Sequence, residues 1–160
     1  CTTELKKMVR WAFQEPNDVH VFGYTNDRSD VDRAARLRLS EPEMYDMLTP
    51  LIQRQLTKDD VIRLVEAHTE LPWAYRNGYR NNNCFPCVKG GMGYWNKIRV
   101  DFPAEFARMA AFEREINHSC LKGVFLDELD PTRGDYSLER EDSCSLNCAS
   151  VGEEINVELR

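Results

Sequence analysis

The sequence predicts an α/β domain of alternating helix and strand, with too few strands to close a full doubly wound sheet alone. Three observations lead there: stretches with apolar residues spaced by three and four, two short runs rich in β-branched and aromatic residues, and cap or breaker residues between them. Thr3 to Gln14 puts Leu5, Met8, Val9 and Ala12 at helical spacing, an amphipathic helix ended by Pro16. Val19-His20-Val21-Phe22-Gly23-Tyr24 reads as a buried strand. Asp27 to Leu39 reads as a charged helix with Val31, Ala34, Ala35 and Leu37 on its apolar side. Thr57-Lys58-Asp59-Asp60 fits a capping box, and the helix it opens carries Val61, Ile62, Leu64 and Val65, stopping near His68 before Leu71-Pro72. Pro103 sits where a first-turn proline belongs, opening a helix with an inner face of Phe106, Met109, Ala110 and Glu113 to Ile116. Val124-Phe125-Leu126 reads as a second short strand. From Asp130 onward the chain turns polar and acidic, interrupted by two cysteines.

A length of 160 residues suits one compact domain or one lobe of a larger one. Twenty-one Lys and Arg against 27 Asp and Glu leave a formal charge of −6, which argues against a general binder of nucleic acid or anionic membrane but leaves room for a local anion site. With 42% hydrophobic residues the chain can bury a core, so wholesale disorder is not expected. No apolar run approaches the roughly 20 residues of a membrane helix. Cys1 to Lys7 lacks the basic-then-apolar layout of a signal peptide. Six cysteines in that setting point to cytoplasmic thiols that bind metal or do chemistry, rather than to a disulfide scaffold.

The most informative segment runs from Gly78 to Gly91. Cys84 and Cys87 form a C-x-x-C knuckle, a spacing that lets one tight turn present two thiolates to one ion, with Pro86 stiffening the turn. A tetrahedral site needs two more ligands, and Cys144 with Cys148 form a second pair far downstream. The competing readings are small buried hydrophobes, favoured for Cys120, and a redox dithiol, for which the strand-to-helix setting is missing. Lys89-Gly90-Gly91-Met92-Gly93 is a cationic glycine loop that suits either an anion site or an ordinary turn. Tyr94-Trp95 with Lys97 and Arg99 suits base stacking and phosphate, or simply core. Arg28, Arg33, Arg36 and Arg38 follow the first predicted strand, at a strand's end where α/β proteins place ligand contacts, although a charged helix face is usually just solvated. His20, His68 and His118 show no metal-ligand spacing and read as non-catalytic. No glycine-rich phosphate loop follows an opening strand.

Together, Leu56 to Val61, Glu70-Leu71-Pro72, Gly78-Tyr79 and Asn81-Asn82-Asn83-Cys84 through Cys87-Val88-Lys89-Gly90-Gly91-Met92-Gly93-Tyr94-Trp95-Asn96-Lys97-Ile98 resemble the carboxy-terminal part of phosphoadenosine phosphosulfate reductase-like proteins, in the versions found in phages and prophages. Phe125 to Leu129 and Cys1-Thr2 with Leu5-Lys6 fit as well, so the resemblance spans nearly the whole chain. It implies membership of the adenine nucleotide alpha hydrolase superfamily. Residues 1–56 would then be the remainder of a Rossmann-like α/β portion, and 57–160 a helical, cysteine-rich lobe. The family's Ser-Gly-Gly-Lys-Asp-Ser phosphate loop and the strand before it are absent from this chain. The implied activity transfers sulfite from an activated sulfate to a cysteine thiolate, from which a thiol reductant releases it. Cys144 would be that thiolate, with Arg33, Arg36, Lys89, Gly90 and Gly91 meeting sulfate or phosphate. Cys84, Cys87, Cys144 and Cys148 would hold zinc or a four-iron four-sulfur cluster, with Cys1 a further candidate cluster ligand. The family's Glu-Cys-Gly-x-His tail stands here as Ser143-Cys144-Ser145-Leu146-Asn147, so Asn147 replaces the histidine. The expected partners are an adenine nucleotide or activated sulfate, a thiol reductant protein, and a second copy or another subunit. The expected location is the cytoplasm, that of a host if the protein is phage-encoded. The alternative is a metal-stabilised, non-catalytic binding or subunit module that has lost the phosphate loop. Sulfur transfer to nucleic acid is a third reading, disfavoured for a stand-alone chain by the negative charge.

Overall fold

The computed structural model describes residues 3–41 and 46–139. A π-helical turn, Thr3–Lys7, runs into α1 (Met8–Phe13). There follow α2 (Arg28–Ser40), α3 (Pro50–Gln53), α4 (Lys58–Glu66), α5 (Trp73–Arg76), α6 (Met92–Asp101), α7 (Pro103–Ile116) and a 3-10 turn, Leu126–Glu128. Among the described residues β structure is confined to two isolated bridges, Val21 with Leu48 in parallel and Leu121 with Val124 antiparallel. The fold is therefore mixed but rich in helix. None of the described helices is long and apolar enough to cross a membrane. The described residues divide into two compact units, one up to Pro72 and one from Trp73 to Glu139.

In the first unit Tyr24, Ala34, Leu37 and Met47 form a small core, with Phe22 and Ile52 packed against it. On α2 the buried residues are Arg33, Ala34 and Leu37, while Ala35 points to solvent. The run from Val19 to Tyr24 is not the doubly buried strand its composition suggests. It pairs with one short neighbour, Phe22 N–H donating to the Leu48 carbonyl at 2.9 Å and Leu48 N–H to that of His20 at 2.8 Å. Alternate side chains leave opposite faces of extended backbone, so Val19 and Val21 are exposed while Tyr24 is buried, with Phe22 stacked beside it at 5.5 Å.

The amino-terminal helix breaks at Phe13 as the downstream proline predicts, but its described apolar side chains form no inner face. Met8, Val9, Trp11 and Phe13 are all exposed. What ties this helix down is ionic: Lys7 reaches the buried Glu41 at 2.8 Å, and Arg10 donates to the same carboxylate.

The start of α4 follows its sequence signature. Thr57 Oγ1 accepts from Asp60 N–H at 3.3 Å, and the Asp60 carboxylate accepts the Thr57 N–H at 2.9 Å. Asp27, from the loop before α2, adds a second carboxylate by accepting Lys58 N–H at 2.8 Å. Hydrogen bonds from Thr25 and from the Lys58 amide hold the Asp27 carboxyl below its usual range, and those from Thr57 do the same for Asp60. Thr57→Ala removes one half of the reciprocal cap and is expected to cost about 1 kcal/mol, read as a lowered denaturant midpoint.

The second unit is built on α6 and α7, which only Phe102 separates. Trp95 and Ile98 of α6 are fully buried against Phe106, Met109 and Ala110 of α7, and the returning chain adds Leu121, Leu126 and Leu129. The inner face of α7 is the predicted one as far as Glu113, but Ile116 lies half exposed. Asn117 ends the helix in the left-handed region, with φ of 49°. Val124 to Leu126 does not form a strand: Val124 makes a single bridge and Leu126 begins the 3-10 turn. The reason lies in Glu113, whose buried carboxylate takes the Leu126 amide at 2.7 Å and also that of Cys120, so the amide a ladder would use is already bound.

Candidate cysteine and anion site

Cys84 is exposed and Cys87 half-buried, at the two ends of a turn that contains a cis Phe85–Pro86 peptide. The turn is anchored from two sides. Phe85 packs against Phe102 at 4.7 Å and Trp73 at 5.1 Å between ring centres. The Cys87 amide donates to the phenol oxygen of Tyr94 at 2.7 Å, and its carbonyl accepts Gly90 N–H at 3.0 Å. Tyr94 is itself buried on the first turn of α6.

The loop Lys89-Gly90-Gly91 leads into α6, and the anion held at that helix start belongs to the chain itself. The Glu139 carboxylate accepts Tyr94 N–H at 2.9 Å and also the Gly93 amide. The glycines allow a close approach. A Cβ on Gly90 would lie 1.9 Å from the Tyr94 ring, and one on Gly93 only 2.4 Å from the Tyr136 backbone nitrogen. Arg80 grips the same 134–139 segment from outside, its guanidinium donating to the Ser137 and Glu139 carbonyls and its amide to the Tyr136 hydroxyl at 3.0 Å.

The cations and aromatic rings that sequence could assign to a nucleotide have other employment. Tyr94 and Trp95 are core. Lys97 pairs with Asp101 at 2.6 Å and lies 4.7 Å from the centre of the Tyr79 ring, and Arg99 donates to the Leu129 carbonyl at 2.7 Å. Burial and the hydrogen bond to Asp101 push the Tyr79 phenol well above its usual range, so it remains a donor at neutral pH. Burial opposes ionisation of Asp101, yet Lys97 and the Tyr79 hydroxyl together hold its carboxyl below the ordinary value.

In the first unit Arg33 is buried and bonded to Asp30 at 2.8 Å, and Asp30 in turn accepts the amide and hydroxyl of Thr25. Arg36 is exposed on α2. Arg28 pairs loosely with Asp32 at 3.3 Å, and Arg38 reaches the Met47 carbonyl at 3.4 Å. Sequence reading passed over Tyr24, whose buried hydroxyl has no hydrogen-bond partner among the described residues. Its position in a strand of apolar neighbours gave no signal of that.

Cys120 is the third described thiol. It is half-buried against the core, and burial, with the hydrogen bond to Glu113 and the negative charges of Glu113 and Cys87, pushes it up to about 12. A thiol so placed is protonated at neutral pH and is a poor nucleophile. Cys1, Cys144 and Cys148 lie outside the described residues. Among the described residues no group of three or more His, Cys, Asp and Glu side chains is placed to hold a metal ion. The spacing of Cys84 and Cys87 along the chain is that of half a tetrahedral thiolate set.

Comparison with protein families, with curated proteins and with solved structures finds no match to this chain.

Proposed function

We propose that the chain is the cysteine-site part of a phosphoadenosine phosphosulfate reductase-like protein. On this reading residues 1–56 are the remainder of a Rossmann-like portion that binds an adenine nucleotide, and the lobe begins at Thr57. Cys84 and Cys87, with Cys144 and Cys148, hold zinc or an iron–sulfur cluster that organises the lobe. Cys144, in the state in which it does not ligate the metal, accepts sulfite from the activated sulfate. Its sulfur bonds to the sulfate sulfur as the bond to the nucleotide phosphate breaks. A thiol reductant then releases sulfite and takes the cysteine sulfur into a mixed disulfide. The observation that carries this reading is the anchored Cys84–Cys87 turn, whose exposed first sulfur and fixed Cys87 amide suit a thiolate knuckle better than a core position. Cys144 follows Glu139 by five residues, a tether of at most roughly 18 Å.

The test is sulfite release from phosphoadenosine phosphosulfate by the full chain, with a thiol reductant and a phosphate-loop portion supplied. Turnover that falls to background in Cys144→Ser is the expected result. Absence of turnover, or full activity in that variant, removes the reductase reading.

One observation favours a second reading, a metal-stabilised module without catalysis. The amides at the start of α6 hold the chain's own Glu139 where a ligand's sulfate or phosphate would sit. Under that reading the isolated chain binds zinc or iron but no adenine nucleotide, and nucleotide binding at ordinary affinity overturns it.

A further inference from the structure

We infer that Glu139 and Tyr94 are positioning residues for the cysteine turn, linked in a two-step relay from the 134–139 segment to the backbone of Cys87. The inference deepens the metal-site reading above and rests on it only for its metal arm.

The relay begins at Glu139. Its carboxylate accepts the Gly93 and Tyr94 amides in the first turn of α6. Tyr94 continues it, because its main chain is held by Glu139 while its hydroxyl, on the far end of a rigid ring, accepts the Cys87 amide at 2.7 Å. A tyrosine ring has only two side-chain torsions, so fixing its backbone and burying its ring leave the hydroxyl little freedom. What Glu139 does to the first turn of α6 is therefore felt at the cysteine turn, through the bond from the Cys87 amide to the Tyr94 hydroxyl.

Three further features converge on the same relay. A Cβ at Gly90 would overlap the Tyr94 ring, and one at Gly91 would come within 2.7 Å of the Glu139 carboxylate. Gly134, with φ of +80°, lies so close to α6 that its own Cβ would come 2.3 Å from the Gly93 nitrogen. Arg80 fastens the segment to the unit through the carbonyls of Ser137 and Glu139. The glycine-rich stretch that sequence reads as an open anion loop thus clears space for a carboxylate, a ring and a backbone supplied by the chain itself.

The experiment uses the full chain, reduced and metal-free, as wild type, Tyr94→Phe, Glu139→Ala and Glu139→Gln, with Arg108→Gln on an exposed pair as control. The primary readout is the rate at which Cys84 and Cys87 are labelled by a neutral thiol reagent, each site quantified by mass spectrometry. Tyr94→Phe deletes one hydroxyl and is expected to speed labelling of Cys87 about fivefold, the change in open population that follows loss of one hydrogen bond. Glu139→Ala should match it, and Glu139→Gln, which keeps one acceptor, should fall between it and wild type. Labelling rates equal to wild type in both Tyr94→Phe and Glu139→Ala overturn the inference. So does equal acceleration at Cys120, which would mark general loosening of the unit. A second arm titrates zinc against a chromophoric chelator. If wild type binds, both variants should weaken affinity about tenfold or more, the usual effect of removing a group that orients a ligand; unchanged affinity overturns the inference. Failure of wild type to bind zinc or iron overturns the metal-site reading, while the labelling rates still decide the relay.

Discussion

Replacing Trp95 with alanine lowers the stability of the second unit by about 3–5 kcal/mol. Trp95 has no exposed surface and touches both helices, its ring lying 5.6 Å from that of Tyr94 and 6.4 Å from that of Phe106. Truncation removes the transfer free energy of the indole and leaves a hole that α6 and α7, separated by Phe102 alone, cannot close by sliding. The indole N–H has no hydrogen-bond partner among the described residues, so Trp95→Phe forfeits no polar contact there. That variant should cost markedly less than the alanine one. Urea unfolding followed by circular dichroism separates the two, with the midpoint falling and the slope unchanged. A cost under about 1 kcal/mol for Trp95→Ala would mean that this packing does not carry the unit.

Glu113→Ala is expected to cost about 2–5 kcal/mol, and by a different route. The carboxylate is only 1% exposed and accepts the amides of Cys120 and Leu126, the latter at 2.7 Å. Removing it leaves two backbone N–H groups buried or half-buried without partners, each costing on the order of 1–3 kcal/mol. Glu113→Gln keeps one oxygen but turns an amino group toward the other N–H, so it should lie between wild type and alanine. The Cys120 thiol supplies an independent readout. Burial is the first cause of its elevation and the hydrogen bond to Glu113 the second, so Glu113→Ala should bring it part of the way down from about 12. Alkylation of Cys120 as a function of pH then shifts toward lower pH. An unmoved profile would show that the carboxylate does not face the thiol.

Legibility in the sequence follows the range of the interaction concerned. The inner face of α7 can be read in advance because Phe106, Met109, Ala110 and Glu113 recur at the helical period, and that pattern lies within eight residues. The Thr57 cap is equally local, three residues from donor to acceptor. By contrast α6 is obscured by its glycines, whose purpose becomes visible only with Glu139, 46 positions from Gly93. Val124 to Leu126 carries the side chains of a strand, but the amide that would pair belongs to Glu113, 13 positions earlier. Val19 to Tyr24 carries apolar residues on both faces, and composition cannot say that only one face is covered. The amino-terminal helix misleads in the same manner, since an amphipathic pattern does not reveal that the contact holding it is Glu41 with Lys7 and Arg10. Of the candidate site, the 84–87 turn is evident from spacing. The bond that fixes it, from the Cys87 amide to the Tyr94 hydroxyl, has no signature in the sequence.

Asp27 gives the first unit an order of assembly. A nine-residue helix such as α4 is too short to persist alone in water, where about 12–15 residues are the practical minimum. Its leading amide at Lys58 finds a carboxylate 31 positions upstream, in the loop that precedes α2. The local cap from Thr57 can therefore nucleate the first turn early, but the turn is completed only once the distant loop has arrived. The start of α4 and the loop before α2 thus reach their final shape together.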